Sequence, residues 1–111
     1  MLAKKERLSR DAFNRFFSVG KRYHTPLFQI VYAPNPTFHA SVVVPKKIEK
    51  HAVGRNTIRR RIYDILRHYT REQNAHGVFI VIVKQPILKK PYAALKEEII
   101  QVITPLGARK S

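Results

Sequence analysis

Cysteine is absent from this chain, which removes disulfides, thiolate metal sites and thiol nucleophiles at once. A fold without disulfides agrees with a reducing compartment, so the cytoplasm is the expected setting. Glycine is sparse and isolated: Gly20, Gly54, Gly77 and Gly107 never cluster into a phosphate-cradling loop. Long hydrophobic runs are missing too. The longest, Val78 to Val83, is far too short to cross a bilayer, and the opening MLAKKERLSRDAF has no apolar core of signal-peptide length. No targeting or membrane-anchoring segment is expected.

Acids are the most telling shortage. Only Glu6, Asp11, Glu49, Asp64, Glu72, Glu97 and Glu98 stand against 22 Lys and Arg, leaving a formal net charge of +15 on 111 residues. None of the seven forms an acid/base pair at convincing spacing, and Glu97 with Glu98 project about 100° apart on a helix, as a solvated face does. His24, His39, His51, His68 and His76 are scattered, with no HExxH pattern and no nucleophile beside them. They read as surface or RNA-facing side chains. Sequence reasoning therefore assigns the polypeptide no catalytic residue and no metal ligand.

What is present is enough apolar material, 44%, for one core, and residues 1–111 read as a single RNA-binding domain. A domain so strongly self-repelling calls for a polyanionic partner, nucleic acid ahead of an anionic membrane surface. Ser9 as N-cap, Asp11 in the first turn and Phe13, Phe16 and Phe17 at helical spacing predict a helix from Arg10 to Val19, stopped by Gly20. The three phenylalanines read first as core, with one or two available to line a groove where bases stack. Leu27 to Ala33 predicts a strand with Phe28, Ile30 and Tyr32 on one side. After Pro34-Asn35-Pro36, Phe38 to Val44 predicts a second, paired antiparallel to the first through the proline turn.

Ile58, Ile62, Ile65, Leu66 and Tyr69 make the buried stripe of a helix from about Val53 to Glu72, with Asn56, Arg60, Tyr63 and Arg67 on the opposite side, flanked by Arg59. VFIVIV lacks alternation and predicts a central strand covered on both faces. Gln85 to Lys90 looks like a linker. Tyr92, Leu95, Ile99, Val102 and Ile103 predict a last helix begun by Pro91 and ended by Pro105 with Gly107. The order is αβββαβα if the Leu27 to Val44 region holds a further short strand, and αββαβα otherwise.

The charge concentrates in one segment. From Val44 to Arg71, Lys46, Lys47, Lys50, Arg55, Arg59, Arg60, Arg61, Arg67 and Arg71 face only Glu49 and Asp64. Arginine forks hold phosphate oxygens bidentately, so such a helix can track a folded RNA backbone without reading bases.

Lys46-Lys47 followed by AVGRNTIRR resembles the protein component of bacterial ribonuclease P, whose strand ends in Ser-Lys-Lys and whose helix opens with Arg-Asn-Arg. Phe13, Phe17 and Gly20 match that family's Phe-x-x-x-Phe and following Gly, and FIVIVKQP its apolar strand ending in a basic residue and proline. Nearly the whole chain is covered. Thr57, Pro45 and Glu49 depart from the usual Arg, Ser and Gly. The resemblance implies a ribosomal-protein S5 domain 2-like α/β two-layer sandwich, with a four-stranded sheet and a left-handed βαβ crossover. It implies a protein subunit that assists a catalytic RNA in endonucleolytic removal of the 5′ leader from precursor tRNA, the RNA performing the hydrolysis with bound magnesium. With the charge pattern it assigns RNA binding to Lys46, Lys47, Lys50, Arg55, Asn56, Arg59, Arg60, Arg61 and Arg67; Arg61, one turn on from Thr57, is the candidate to compensate for the missing arginine. A leader cleft falls to Phe13, Phe17, Phe28 and Tyr32, with the strand register open by one residue. Two other readings are a ribosomal or general RNA-binding protein, and a nuclease using its own carboxylates.

Overall fold

Ser9 adopts extended backbone and its Oγ accepts the Ala12 N–H at 3.2 Å, so α1 (Arg10–Val19) begins where capping chemistry places it. The computed structural model describes residues 6–107. At Gly20 the backbone is ordinary extended chain, and the small residue is needed for room: a Cβ would collide with Val31 Cγ1 and the Phe16 carbonyl. Close approach at this point seats the end of α1 against the sheet.

The sheet contains β1 (Lys21–His24), β2 (Phe28–Ala33), β3 (Phe38–Val43) and β4 (Gly77–Val83) in the order β1-β2-β4-β3. The element order is αβββαβα, but the additional short strand lies before Leu27, not within the Leu27 to Val44 region. β1 is a mostly exposed KRYH segment with no apolar alternation, so pairing with β2 defines it and side-chain pattern does not. The expected β2–β3 pairing through the proline turn is also corrected. β4 lies between them, antiparallel to β2 and parallel to β3. Val78 to Val81 and Val83 are buried, and only an interior strand has both faces covered along such a run. The four residues 34–37 reach about 13 Å when extended, enough to step over one strand, a distance of about 10 Å.

Between β3 and β4 the chain forms α2 (Ala52–Gln73), and α3 (Tyr92–Gly107) follows β4. Phe28 and Ile30 of β2, Ala40 and Val42 of β3, and Phe79, Val81 and Val83 of β4 face these two helices. They pack with Ile58, Ile62, Ile65, Leu66 and Tyr69 of α2 and Leu95, Ile99 and Ile103 of α3. This is the two-layer core. Val31, Ala33, Val78 and Ile80 point the other way, and α1 lies across that face.

Glu98, read as part of a solvated face, and Arg61, read as RNA-binding, are both engaged within the fold. Glu98 accepts hydrogen bonds from Thr25 Oγ1 and from the Leu27 N–H (2.8 Å), tying α3 to the β1–β2 turn. Arg61 donates to the Leu88 carbonyl at 2.8 Å, and Ile87 is fully buried, so the linker-like stretch is pinned to the core. Pro105 does not end α3, which continues to Gly107; the Tyr69 hydroxyl donates to the Ile103 carbonyl at 3.1 Å and holds this last turn against α2. Gly77 has φ 111°, and a Cβ there would lie 2.7 Å from the Tyr32 ring, so conformation and space both require glycine.

Candidate RNA interface

α1 buries none of its residues fully. Phe13, Phe16 and Phe17 are each half-buried, so none of them is a fully buried core residue as first read. The Phe13 and Phe17 rings stack with centroids 5.6 Å apart at 13°, and the Arg22 guanidinium sits 4.4 Å from the Phe17 centroid while donating to the Phe17 carbonyl at 3.0 Å. The guanidinium thus lies over the Phe17 ring, and an aromatic pair with a fixed cation on it suits a base stacked at Phe13 with a phosphate near Arg22.

Phe28 and Tyr32 do not belong to this cleft. Phe28 is 0% exposed within the α2/α3 core, and the Tyr32 ring packs at a 46° tilt against Phe79, centroids 5.2 Å apart, on the same side. Alternation puts Gln29, Val31 and Ala33 on the α1 side instead, one residue out of register from the expectation. Val31 and Ala33 are buried, which leaves a partly exposed row across all four strands: His24, Gln29, Ile82 and Val43, matched by the strand pairing. Sequence reasoning missed this row, and missed Arg22, because both faces of β2 carry apolar residues and only the seat of α1 tells them apart.

On α2 the expected division into an apolar back and a basic front holds with one exception. Tyr63 is 8% exposed, and its hydroxyl accepts the Val42 N–H at 3.2 Å, so it wedges the helix against β3 and lies beneath the neighbouring basic residues instead of standing exposed with them. Asn56 and Arg60 are exposed, and Arg59 donates to the Asn56 side-chain oxygen, which leaves the Asn56 amide group directed away from that bond. Arg67 is partly committed to Asp64, at 3.4 Å. Two arginines face elsewhere. Arg55 clamps the carbonyls of Glu49 (3.0 Å) and Lys50 (2.7 Å), and Arg61 is held by Leu88. Thr57 returns its hydroxyl to the Val53 carbonyl at 2.9 Å. Arg61 therefore braces the core and is a poor substitute for an arginine at 57.

The link before α2 presents Lys46, Lys47 and Lys50 to solvent. Ile48 and Glu49 both donate to the Pro45 carbonyl, turning the chain so that the Glu49 carboxylate accepts the His51 N–H at 3.2 Å and lies over Gly54. A carboxylate here complements the positive end of the helix dipole, a role that His51, as N-cap, does not fill with its own side chain.

Asp64 accepts from the Tyr92 hydroxyl at 2.8 Å, with Arg67 and His68 close by. That hydrogen bond holds the carboxyl below its ordinary range, against a smaller opposing effect of burial and with help from the nearby His68 and Arg67 side chains. Burial, with the bond to Asp64, pushes Tyr92 up to about 12. A concavity between α3 and the Thr25 turn presents Glu97 and Glu98 and repels a polyanion. Among the described residues no three His, Asp or Glu side chains converge as a metal site.

The protein-family model for Ribonuclease P matches residues 2–107. Ribonuclease P protein components of Bacillus cereus strain AH187 and Bacillus anthracis strain CDC 684 are each 28% identical over 113 residues. The matches cover 98% of this chain and 97% and 94% of those proteins. In fold the chain is similar to the RNase P protein from Thermotoga maritima, with TM-score 0.80 at 20% identity over 91% of this chain and 97% of that one. It is also similar to the Staphylococcus aureus RNase P protein, with TM-score 0.75 at 23% identity over 90% and 94%.

Proposed function

The chain belongs to the ribonuclease P protein family, and from that premise we propose that its two basic surfaces divide the work of removing the 5′ leader from precursor tRNA. The front of α2, with Asn56, Arg59, Arg60 and Arg67, and the link lysines Lys46, Lys47 and Lys50 bind the catalytic RNA subunit through its phosphates. The α1 cleft, with Phe13 and Phe17 over the His24-Gln29-Ile82-Val43 row, takes the single-stranded leader. The observation that carries this reading is the partly exposed, stacked Phe13–Phe17 pair, with Arg22 over the Phe17 ring, beside a partly exposed strip of sheet. Mature tRNA has no leader to place there, so the cleft favours substrate over product.

Magnesium is assigned to the RNA subunit, which performs the hydrolysis, as the family resemblance implies. The protein contributes positive charge that screens the repulsion between two RNAs and lowers the magnesium needed to bring them together. The cytoplasm is the proposed setting, and among the described residues no helix is long and apolar enough to cross a membrane.

Reconstitution tests the assignment. Adding the chain to a ribonuclease P RNA at low magnesium is expected to restore precursor cleavage, and Phe17→Ala to weaken precursor binding with mature tRNA affinity unchanged. A general RNA-binding protein would leave cleavage unrestored, and a nuclease acting through its own carboxylates would cut without the RNA subunit.

A further inference from the structure

The α1 cleft and the basic front of α2 lie on opposite sides of the sheet, yet they are joined around its β3 edge. Residues 7 and 8 run along that edge: Arg7 forms a parallel bridge with Ala40, and the Leu8 N–H meets the Ala40 carbonyl at 3.4 Å. Three concavities follow in sequence and share walls. The first holds Phe13, Asn14 and Ser41 with Leu8 and Ser9; the second holds Leu8 and Ser9 with Arg7 and Tyr63; the third holds Arg7 and Tyr63 with Asn56, Arg59 and Arg60. One groove thus leads from Phe13 over the sheet edge to the α2 arginines.

The far end of this groove is built for a nucleotide. Its floor is Tyr63, fixed because the ring is buried and its hydroxyl is used by Val42, so it offers a rigid apolar surface. Arg7, Arg59 and Arg60 line the pocket around that floor, and Asn56 holds Arg59 in place while its own amide remains able to donate. Cationic forks around an apolar floor suit a phosphate with its ribose or base laid against the ring.

We propose that the Arg7 pocket takes one unpaired nucleotide of the precursor leader, beyond the stretch held at Phe13 and Phe17, with Arg7 gripping its phosphate. The leader is chosen over the RNA subunit because the pocket continues the α1 groove, and Arg7 is the wall common to its last two sections; Asn56, Arg59 and Arg60, on the far wall, are shared with the RNA subunit, so the nucleotide lies where the two RNAs meet. The inference rests on the cleft assignment above. It makes Arg7 a determinant of leader length, a residue that both the charge pattern and the basic-helix motif passed over.

The experiment uses the holoenzyme reconstituted with its RNA subunit. Binding is measured for precursors with leaders shortened one nucleotide at a time, for mature tRNA, and for the RNA subunit with the free protein. Arg7→Ala is expected to weaken binding of long-leader precursors about tenfold, the loss of one charge-assisted contact. The deficit should vanish once the leader is too short to pass Phe13, with mature tRNA and RNA-subunit affinities unchanged. Arg7→Lys should fall between, keeping charge without the fork. A deficit independent of leader length, or one seen in RNA-subunit affinity, assigns the nucleotide to the other RNA and overturns the proposal, as does no deficit at all. Phe13→Ala separates the two levels: if it weakens precursor binding while Arg7→Ala does not, only the extension fails. If neither variant weakens it, the cleft assignment fails as well, and an Arg7 deficit without a Phe13 deficit overturns the continuous path.

Discussion

Asp64 shows how one acid is used in a chain with few. Its carboxylate gathers Tyr92, Arg67 and His68, and so fastens the start of α3 to the middle of α2. Because its folded pKa is depressed, the stability it contributes is present above the ordinary value of 3.8 and is lost as pH falls through the lower folded value. Tyr92 has the opposite sign. Its pKa is raised to about 12, so its contribution is intact below the ordinary value of 10 and is lost as pH climbs through about 12. Tyr92→Phe is expected to return the Asp64 carboxyl toward its ordinary range, as followed by NMR titration. It should cost about 0.5 kcal/mol near neutral pH, the low end for a hydrogen bond because both side chains are more than a third exposed. That difference from the parent should disappear in urea titrations run well below pH 3.8, where neither protein has the charged carboxylate.

At the scale of elements, α2 carries two functions on separate faces, and they should be separable by mutation. Ile62 is 0% exposed in the core. Ile62→Ala is expected to cost about 2–5 kcal/mol of stability by leaving a cavity, with the RNA affinity of the folded fraction unchanged. Arg60→Ala should change stability by no more than about 0.5 kcal/mol, yet weaken RNA binding and reduce its salt slope by about 1. Urea unfolding and binding isotherms at several salt concentrations measure the pair. If both variants lost stability and affinity together, the two faces would not be independent.

The 3.6-residue period made α2 legible in advance, because five isoleucine, leucine and tyrosine positions share one stripe and all are buried. The period could not place Tyr63. Its angle on the helix matches that of Asn56 and Arg60, but β3 comes close on that flank and needs its Val42 N–H capped. β2 failed for a related reason. Its two faces are both apolar, so alternation gives the spacing and leaves open which side α1 covers; Phe28 and Tyr32 accordingly went to the wrong side.

The whole molecule is a folded cation, and its stability should reflect that. A formal charge of +15 repels itself in the free protein, and an anion that binds the folded state relieves the repulsion. Sulfate or phosphate is expected to raise the thermal midpoint more than chloride at equal ionic strength, and a ribonuclease P RNA to raise it further; differential scanning calorimetry measures both. Equal effects of all three anions would indicate screening alone and no bound phosphate sites.

Composition and periodicity by themselves determined that this chain forms a cation with one apolar core, a two-faced basic helix and a strand buried on both sides, because these properties reside in local residue type and spacing. Tertiary structure alone decided that β4 inserts between β2 and β3, that Arg55 and Arg61 brace backbone carbonyls, and that Arg7 joins two surfaces around a sheet edge. Each of these depends on which distant segments become neighbours. Spacing along the chain carries no record of that, since a guanidinium turns to whichever carbonyl or phosphate the fold brings within reach.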